Sequence, residues 1–314
     1  MTLAFTGLPW LLALAGPPLV HAAYAAWVRR RFPRSGELLV HRGAPLHFAR
    51  RGAGPPVVLV HGANGTWQDF PADLIEDLAR DHTVITLDRP GHGWSGAPRG
   101  PLGLAENSAA LLALLRAQAA AGATLVGHSY GAAVALRAAL EAPGLVAHVV
   151  AITPCTALDP RNVRYARAPL VGEPVGRLLF QYLSLALVPF GLPLRADAWH
   201  PHRAPPGWSA SRAFAYVPSQ MHASARNFRT LAADLAWLAE RLPGLGARLT
   251  VLAGEADRVT PPERHVDWLR AALPGARIEV LPVVGHWLVR LRTGQVARAV
   301  RARPEAGPGP ANGR

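Results

Sequence analysis

Three short apolar runs, each closed by a turn signal and followed by a helical period, set the plan of this chain. Val57-Val58-Leu59-Val60 ends in His61-Gly62-Ala63-Asn64-Gly65, and Thr83-Val84-Ile85-Thr86-Leu87 ends in Asp88-Arg89-Pro90-Gly91. Thr124-Leu125-Val126 ends in Gly127-His128-Ser129-Tyr130-Gly131. A continuous apolar run of this length, rich in β-branched residues, predicts a strand buried on both faces. Between these runs Leu74, Ile75, Leu78 and Ala79 share one helical face, and a second helix is expected from about Leu104 to Gln118. Earlier, Glu37–Val40 and Pro45–Ala49 read as a strand pair turning at Arg42-Gly43. Later come a strand at Val149–Thr153, a helix from Phe228 to Leu242 with Leu231, Leu235, Leu238 and Leu242 in register, a strand from Leu249 and a last strand at Ile278–Leu281. Strands alternating with helices at this spacing predict an α/β fold: a mostly parallel, doubly wound sheet with helices on both faces.

Two segments break the alternation. From Thr2 to Val28 no Asp, Glu, Lys or Arg occurs, and Arg29-Arg30-Arg31 and Arg34 follow directly. The uncharged length suits a membrane span, although Pro9, Pro17, Pro18 and His21 interrupt it. An uncleaved anchor is the first expectation. A helix lying on the protein or on the membrane surface, and a signal peptide cleaved near Ala23-Tyr24-Ala25, are the alternatives. For an anchor, the arginine cluster places the rest of the chain on the cytoplasmic side; a cleaved segment makes the protein periplasmic or secreted. The second break is the stretch of about 95 residues between Thr153 and Leu249. It is expected to hold a helical cap over 157–226, including Leu178–Phe190, which is apolar around nearly its whole circumference. The resulting division is 1–34 for the N-terminal segment, 35–156 and 227–303 for the core, 157–226 for the cap and 304–314 for a disordered tail rich in Pro, Gly and Ala.

Composition changes the picture in one place. The formal net charge of +13 suggests a nucleic-acid partner. All 33 basic residues are Arg, however, and they are scattered, with no stripe of arginines and aromatics. Coding bias explains that pattern more simply, and no nucleic acid is expected. Half of the residues are hydrophobic, enough for a sizeable core. Cys155 is the single cysteine, so no intrachain disulfide can form; it is expected to be a small buried residue at a strand end. Trp199-His200-Pro201-His202 lacks a carboxylate or a further ligand nearby, so neither metal nor cofactor is expected.

The chemistry concentrates at Gly127-His128-Ser129-Tyr130-Gly131. A serine bracketed by glycines between a strand and a helix is a nucleophile elbow, a turn too tight for side chains at positions 127 and 131. With His61-Gly62 after one strand and Asp88-Arg89-Pro90-Gly91-His92-Gly93-Trp94-Ser95 after the next, the ordered motifs resemble those of the α/β-hydrolase superfamily over about Glu37 to Arg303. The resemblance implies that fold with an inserted cap, an esterase- or lipase-like activity, and an acid and a histidine later in the chain. Asp257, in Gly254-Glu255-Ala256-Asp257, matches the acid loop, and His286, in Val284-Gly285-His286-Trp287, matches the histidine loop. They lie 29 positions apart, room for one helix and one strand.

On that resemblance Ser129 is the nucleophile, His286 the general base and acid, and Asp257 the orienting carboxylate, with Glu255 the weaker candidate for the acid. Backbone N–H groups of Ala63 and Tyr130 would form the oxyanion hole, each typically worth about 3–4 kcal/mol of transition-state stabilisation. Asp88, Arg89 and His92 are expected to buttress the site; Asn64 and Tyr130 either pack or present side chains to it. Serine at the elbow excludes the alkyl-ester chemistry of relatives that carry aspartate there. The expected reaction is hydrolysis of a small apolar carboxylic ester through an acyl-enzyme. Carbon–carbon bond hydrolysis or cofactor-free haloperoxidase-like activity on the same residues is the alternative. A hydrolase-like protein that binds without turnover is the reading of another class.

Overall fold

The computed structural model describes residues 7–157 and 209–302. Eight strands form one sheet in the order β1-β2-β4-β3-β5-β6-β7-β8. They are β1 (Glu37–His41), β2 (Ala44–Arg51), β3 (Pro56–Val60), β4 (Thr83–Leu87), β5 (Ala123–His128), β6 (Val146–Ile152), β7 (Arg248–Gly254) and β8 (Arg277–Leu281). The β1–β2 and β2–β4 pairs are antiparallel and all others are parallel. The β1–β2 hairpin turns on Arg42 and Gly43, both left-handed at φ 48° and 74°, the backbone that a two-residue hairpin needs to match strand twist.

The apolar runs are buried on both faces because alternate residues feed two cores. Val58, Val60, Ile85 and Leu125 pack under α3 (Leu104–Ala117) and α4 (Tyr130–Glu141), the latter starting directly after Ser129. Val57, Leu59, Val84 and Val126 face the other way, onto α2 (Ala72–Leu78) and the C-terminal helix α8 (Thr293–Arg301). Residues after the C-terminal ends of β3, β4, β5 and β7 therefore meet at one edge of the sheet, where ligands of open α/β sheets bind.

The helix expected from Phe228 to Leu242 is divided. Helix α6 (Pro218–Arg229) ends and α7 (Leu231–Arg241) begins around Thr230, whose hydroxyl donates to Asp234 Oδ2 at 2.7 Å. Asp234 also accepts from the Leu104 N–H at 3.0 Å, so its carboxylate ties the start of α7 to the start of α3. The leucine register was correct: Leu231, Leu235, Leu238 and Leu242 are all buried.

The N-terminal helix α1 (Gly7–Arg31) runs through Pro17 and Pro18, and among the described residues no helix is long and apolar enough to cross a membrane. The spanning anchor is thereby corrected: glycine, proline, histidine and many alanines dilute its apolar character. Instead Val28 is buried against Phe214 and Val217, and the Tyr24 hydroxyl donates to the Ala213 carbonyl at 2.9 Å. Phe214 belongs to α5 (Ser209–Ala215). Leu178–Phe190, Trp199-His200-Pro201-His202 and the tail from 304 lie outside the described residues.

Candidate active site

Ser129 follows β5 at φ 54°, ψ −118°, a conformation rarely adopted by a residue with a side chain. Three backbone contacts hold it there: its N–H donates to Ile152 O at 2.9 Å, and its carbonyl accepts from Ala132 at 3.0 Å and Cys155 at 3.2 Å. Both bracketing glycines are required sterically. A Cβ on Gly127 would lie 2.5 Å from Ala132 Cα, and one on Gly131 would overlap the Val60 and His61 carbonyl oxygens. The glycines thus let α4 pack directly against β3 and β5 while the serine takes the strain.

His286 stands beside the acid loop at the end of β7. Its Nδ1 lies 2.8 Å from Asp257 Oδ2. Asp257 is buried, and its other oxygen accepts the N–H groups of Val259 at 2.8 Å and Thr260 at 3.0 Å. Burial alone would raise the Asp257 pKa, but the charge and hydrogen bond of His286 and the bonds from Thr260 outweigh it and lower the pKa to about 2. The carboxylate is therefore ionised at neutral pH and fixes a proton on His286 Nδ1. Glu255 is exposed and lies near the Val283 N–H, so Asp257 is the acid that meets the histidine. Thr260 and His128 were not singled out by the sequence. Thr260 Oγ1 is 2.8 Å from Asp257 Oδ2, and His128 Nε2 is 3.0 Å from the His286 carbonyl. The Asp-x-x-Thr spacing of a side-chain-capped turn was the available signal for Thr260.

Opposite the histidine, the His61–Gly65 loop crosses above Ser129 so closely that a Cβ on Gly62 would sit 3.3 Å from Ser129 Cβ. Neither the Ala63 nor the Tyr130 backbone N–H has a hydrogen-bond acceptor among the described residues. Asp88 ties the neighbouring loop together, accepting from the N–H groups of Trp67 and Trp94 at 3.0 Å and facing His47 Nδ1 at 2.8 Å. Arg89 is fully buried, and its guanidinium donates to His61 O, Gly62 O, Asn107 Oδ1 and Asn227 Oδ1. Burial brings its pKa down to about 10, so it stays charged at neutral pH. His61 and His92 are held well below the usual histidine range, first by burial and then by the Arg89 charge.

Helix α6 closes this side with a polar stripe at helical spacing. Gln220 Nε2 donates to Asn64 O at 2.9 Å, and Gln220 Oε1 accepts from the Gly93 N–H at 2.8 Å. Ser224 Oγ donates to Asn64 Oδ1 at 3.1 Å and lies 3.0 Å from His92 Nε2. Asn64, at φ 52°, faces α5, donating to Ala215 O. The Tyr130 ring lies in the core beneath Arg89, with its guanidinium carbon 4.8 Å from the ring centroid.

Ser129, His286, Ala63 and Tyr130 border one cavity of about 220 Å³, which Trp287 and Phe228 also line. Cys155 is buried and contributes to the same wall. Asp257 sits behind His286 and does not line the cavity. A serine on a strained turn, a histidine oriented by a carboxylate, and main-chain N–H groups with no acceptor among the described residues around one cavity form an arrangement that can support acyl transfer.

An uncharacterized protein of Mycobacterium tuberculosis is 29% identical over 261 residues, covering 76% of this chain and 72% of its own. The pimeloyl-[acyl-carrier protein] methyl ester esterase of Vibrio parahaemolyticus is 34% identical over 110 residues, 34% of this chain and 40% of that one. A solved thermophilic esterase from Thermogutta terrifontis superposes with a TM-score of 0.64 at 21% identity, over 85% of this chain and 97% of its own. The sequence profile of the Alpha/beta hydrolase family matches residues 57–299, and the chain belongs to that family.

Proposed function

We propose that this chain is a serine hydrolase that cleaves an apolar carboxylic ester through an acyl-enzyme. The observation that carries the reading is the placement of Ser129, on a strained elbow, and of the Asp257-anchored His286 on one cavity with Trp287 and Phe228. His286 takes the Ser129 proton as Oγ attacks the ester carbonyl. The tetrahedral oxyanion is received by the N–H groups of Ala63 and Tyr130. Collapse expels the alcohol, which leaves with the proton from His286, and water activated by His286 then releases the acid. A series of p-nitrophenyl esters of increasing acyl length tests turnover and chain preference together. Fluorophosphonate labelling of wild type but not of Ser129→Ala is the expected companion result. Equal labelling of the two folded proteins, or none of either, would sink the proposal.

A second element of the proposal concerns location. The inner face of α1 is docked on α5 through Val28 and Tyr24, while Leu19, Val20 and Trp27 are exposed, the first by 67%. Exposed Arg30, Arg31 and Arg34 follow. An apolar outer face ending in cations suits a helix lying on an anionic lipid surface. Sedimentation with vesicles containing phosphatidylglycerol, weakened by Trp27→Ser and by salt, is expected. Equal recovery with and without vesicles would remove this element and leave the hydrolase reading intact.

A further inference from the structure

The Gly62–Ala63 peptide is gripped at its carbonyl end. Gly62 O accepts from Arg89 Nη2 at 2.8 Å and lies 2.9 Å from His61 Nδ1. The other ring nitrogen settles the His61 tautomer. The Arg89 backbone N–H donates to His61 Nε2 at 2.9 Å, so Nε2 carries no proton and Nδ1 is a donor to Gly62 O. Burial and the adjacent Arg89 charge keep the ring neutral, which preserves that tautomer. The peptide is trans, so its N–H points away from its carbonyl. Two donors anchoring the oxygen therefore fix the direction of the Ala63 N–H.

We infer that Arg89 is a positioning residue for the oxyanion hole: with His61 it anchors and polarises the Gly62–Ala63 peptide, aiming the Ala63 N–H at the reacting oxygen. The inference rests on the reading of Ala63 as an oxyanion donor. A cation is the informative choice here. A hydrogen bond from a charged donor draws electron density from the carbonyl and makes the N–H of the same amide a stronger donor. The remaining guanidinium partners are His61 O at 3.0 Å, Asn107 Oδ1 at 2.7 Å and Asn227 Oδ1 at 2.9 Å, all neutral. Among the described residues no carboxylate hydrogen-bonds the guanidinium, and Asp69 acts on it only through space, so the charge is not neutralised by direct contact. A clamp with only a structural task could use a neutral amide and avoid burying a cation. The guanidinium also lies over the ring of Tyr130, the residue that supplies the other main-chain donor. Through Asn227 the grip reaches α6, which makes this helix part of the wall that sets the hole.

The test compares wild type, Arg89→Gln and Asn227→Ala, using a p-nitrophenyl ester and a trifluoromethyl ketone, whose Ser129 adduct carries the oxyanion. Thermal melts and near-ultraviolet circular dichroism identify which variants are folded. Arg89→Gln is expected to lower kcat by about 10²–10³-fold, the cost of losing one oxyanion donor, with little change in KM. Ketone affinity should fall in step with kcat. Asn227→Ala, which loosens Arg89 from outside the cavity, should show a smaller fall with the same split, and it carries the test if Arg89→Gln does not fold. A folded variant with unchanged kcat, or with a kcat loss that leaves ketone affinity untouched, overturns the inference while the hydrolase reading stands. A wild-type protein inert to both ester and fluorophosphonate overturns the hydrolase reading and this inference with it.

Discussion

His286 Nδ1 lies 2.8 Å from Asp257 Oδ2, and the other oxygen of that carboxylate is held by the Val259 and Thr260 N–H groups. The acid is thus fixed in orientation before it orients the imidazole. Asp257→Asn keeps the shape but presents an amide, which no longer holds the proton on Nδ1. Ester hydrolysis is expected to fall by roughly 10⁴-fold in kcat with the fold retained. Kinetics alongside circular dichroism check this, and a folded variant within tenfold of wild type would remove Asp257 from the mechanism.

The elbow makes a steric prediction. Gly131→Ala forces a methyl group against the Val60 and His61 carbonyl oxygens, whereas a Cβ on Gly144 meets nothing within 4 Å. Gly131→Ala is expected to destabilise by at least about 1–3 kcal/mol, the usual cost of overpacking, and Gly144→Ala to stay near wild type. Urea denaturation of the pair measures the difference. Equal midpoints would contradict the close packing of α4 on β3.

The acid side of the stability profile follows from buried histidines. Burial, aided by the neighbouring Arg248 charge, lowers the His148 pKa to about 4, and His61 and His92 are lowered as well. Below the ordinary pKa of about 6.5 the unfolded chain binds protons that the folded one refuses. Stability is therefore complete above about pH 6.5 and falls as pH drops toward 4, by up to about 1.4 kcal/mol per pH unit for each such histidine. Asp257, lowered to about 2, extends the loss as pH falls below its ordinary value. Denaturation at pH 7 and pH 5 should show the fall, and His148→Gln should flatten it. An unchanged slope in the variant would contradict a neutral buried His148.

Docking of α1 on α5 is testable without lipid. Val28 is fully buried against Phe214 and Val217, so Val28→Asp places a charge in that contact. The variant is expected to release α1, so that trypsin cuts faster at the already exposed Arg29, Arg30 and Arg31 once the helix is free to unwind, while the sheet melts at nearly the wild-type temperature. Identical digestion rates would show that the contact does not hold the helix.

Much of the architecture was legible along the chain because its signals are local. Wholly apolar runs such as Val57–Val60 are periodic facts of the sequence, and all eight expected strands are present in the sheet within a few residues of their predicted ends. Gly127, Ser129 and Gly131 were equally legible, since a tight strand–helix turn needs glycine wherever it occurs. The uncharged length from Thr2 to Val28 misled, because length without charge measures hydrophobicity poorly when glycine, proline and alanine fill it. The break at Thr230 was missed because the hydrogen bond that marks it joins a residue to Asp234, which is itself committed to α3.

What the chain order could not supply is what passes between distant segments. That Asp257 reaches His286 across 29 positions was suggested by resemblance, but the Thr260 hydroxyl beside that carboxylate depends on how the loop after β7 folds. Arg89 is the clearest case. In the sequence it is one of 33 arginines in a loop. Its meaning comes from being surrounded at once by His61 and Gly62, Asn107, and Asn227, which lie on three different segments. Periodicity and turn chemistry act between near neighbours and are written in the order of residues. Burial of a charge, and the hydrogen bonds that make it tolerable, exist only once those segments have packed.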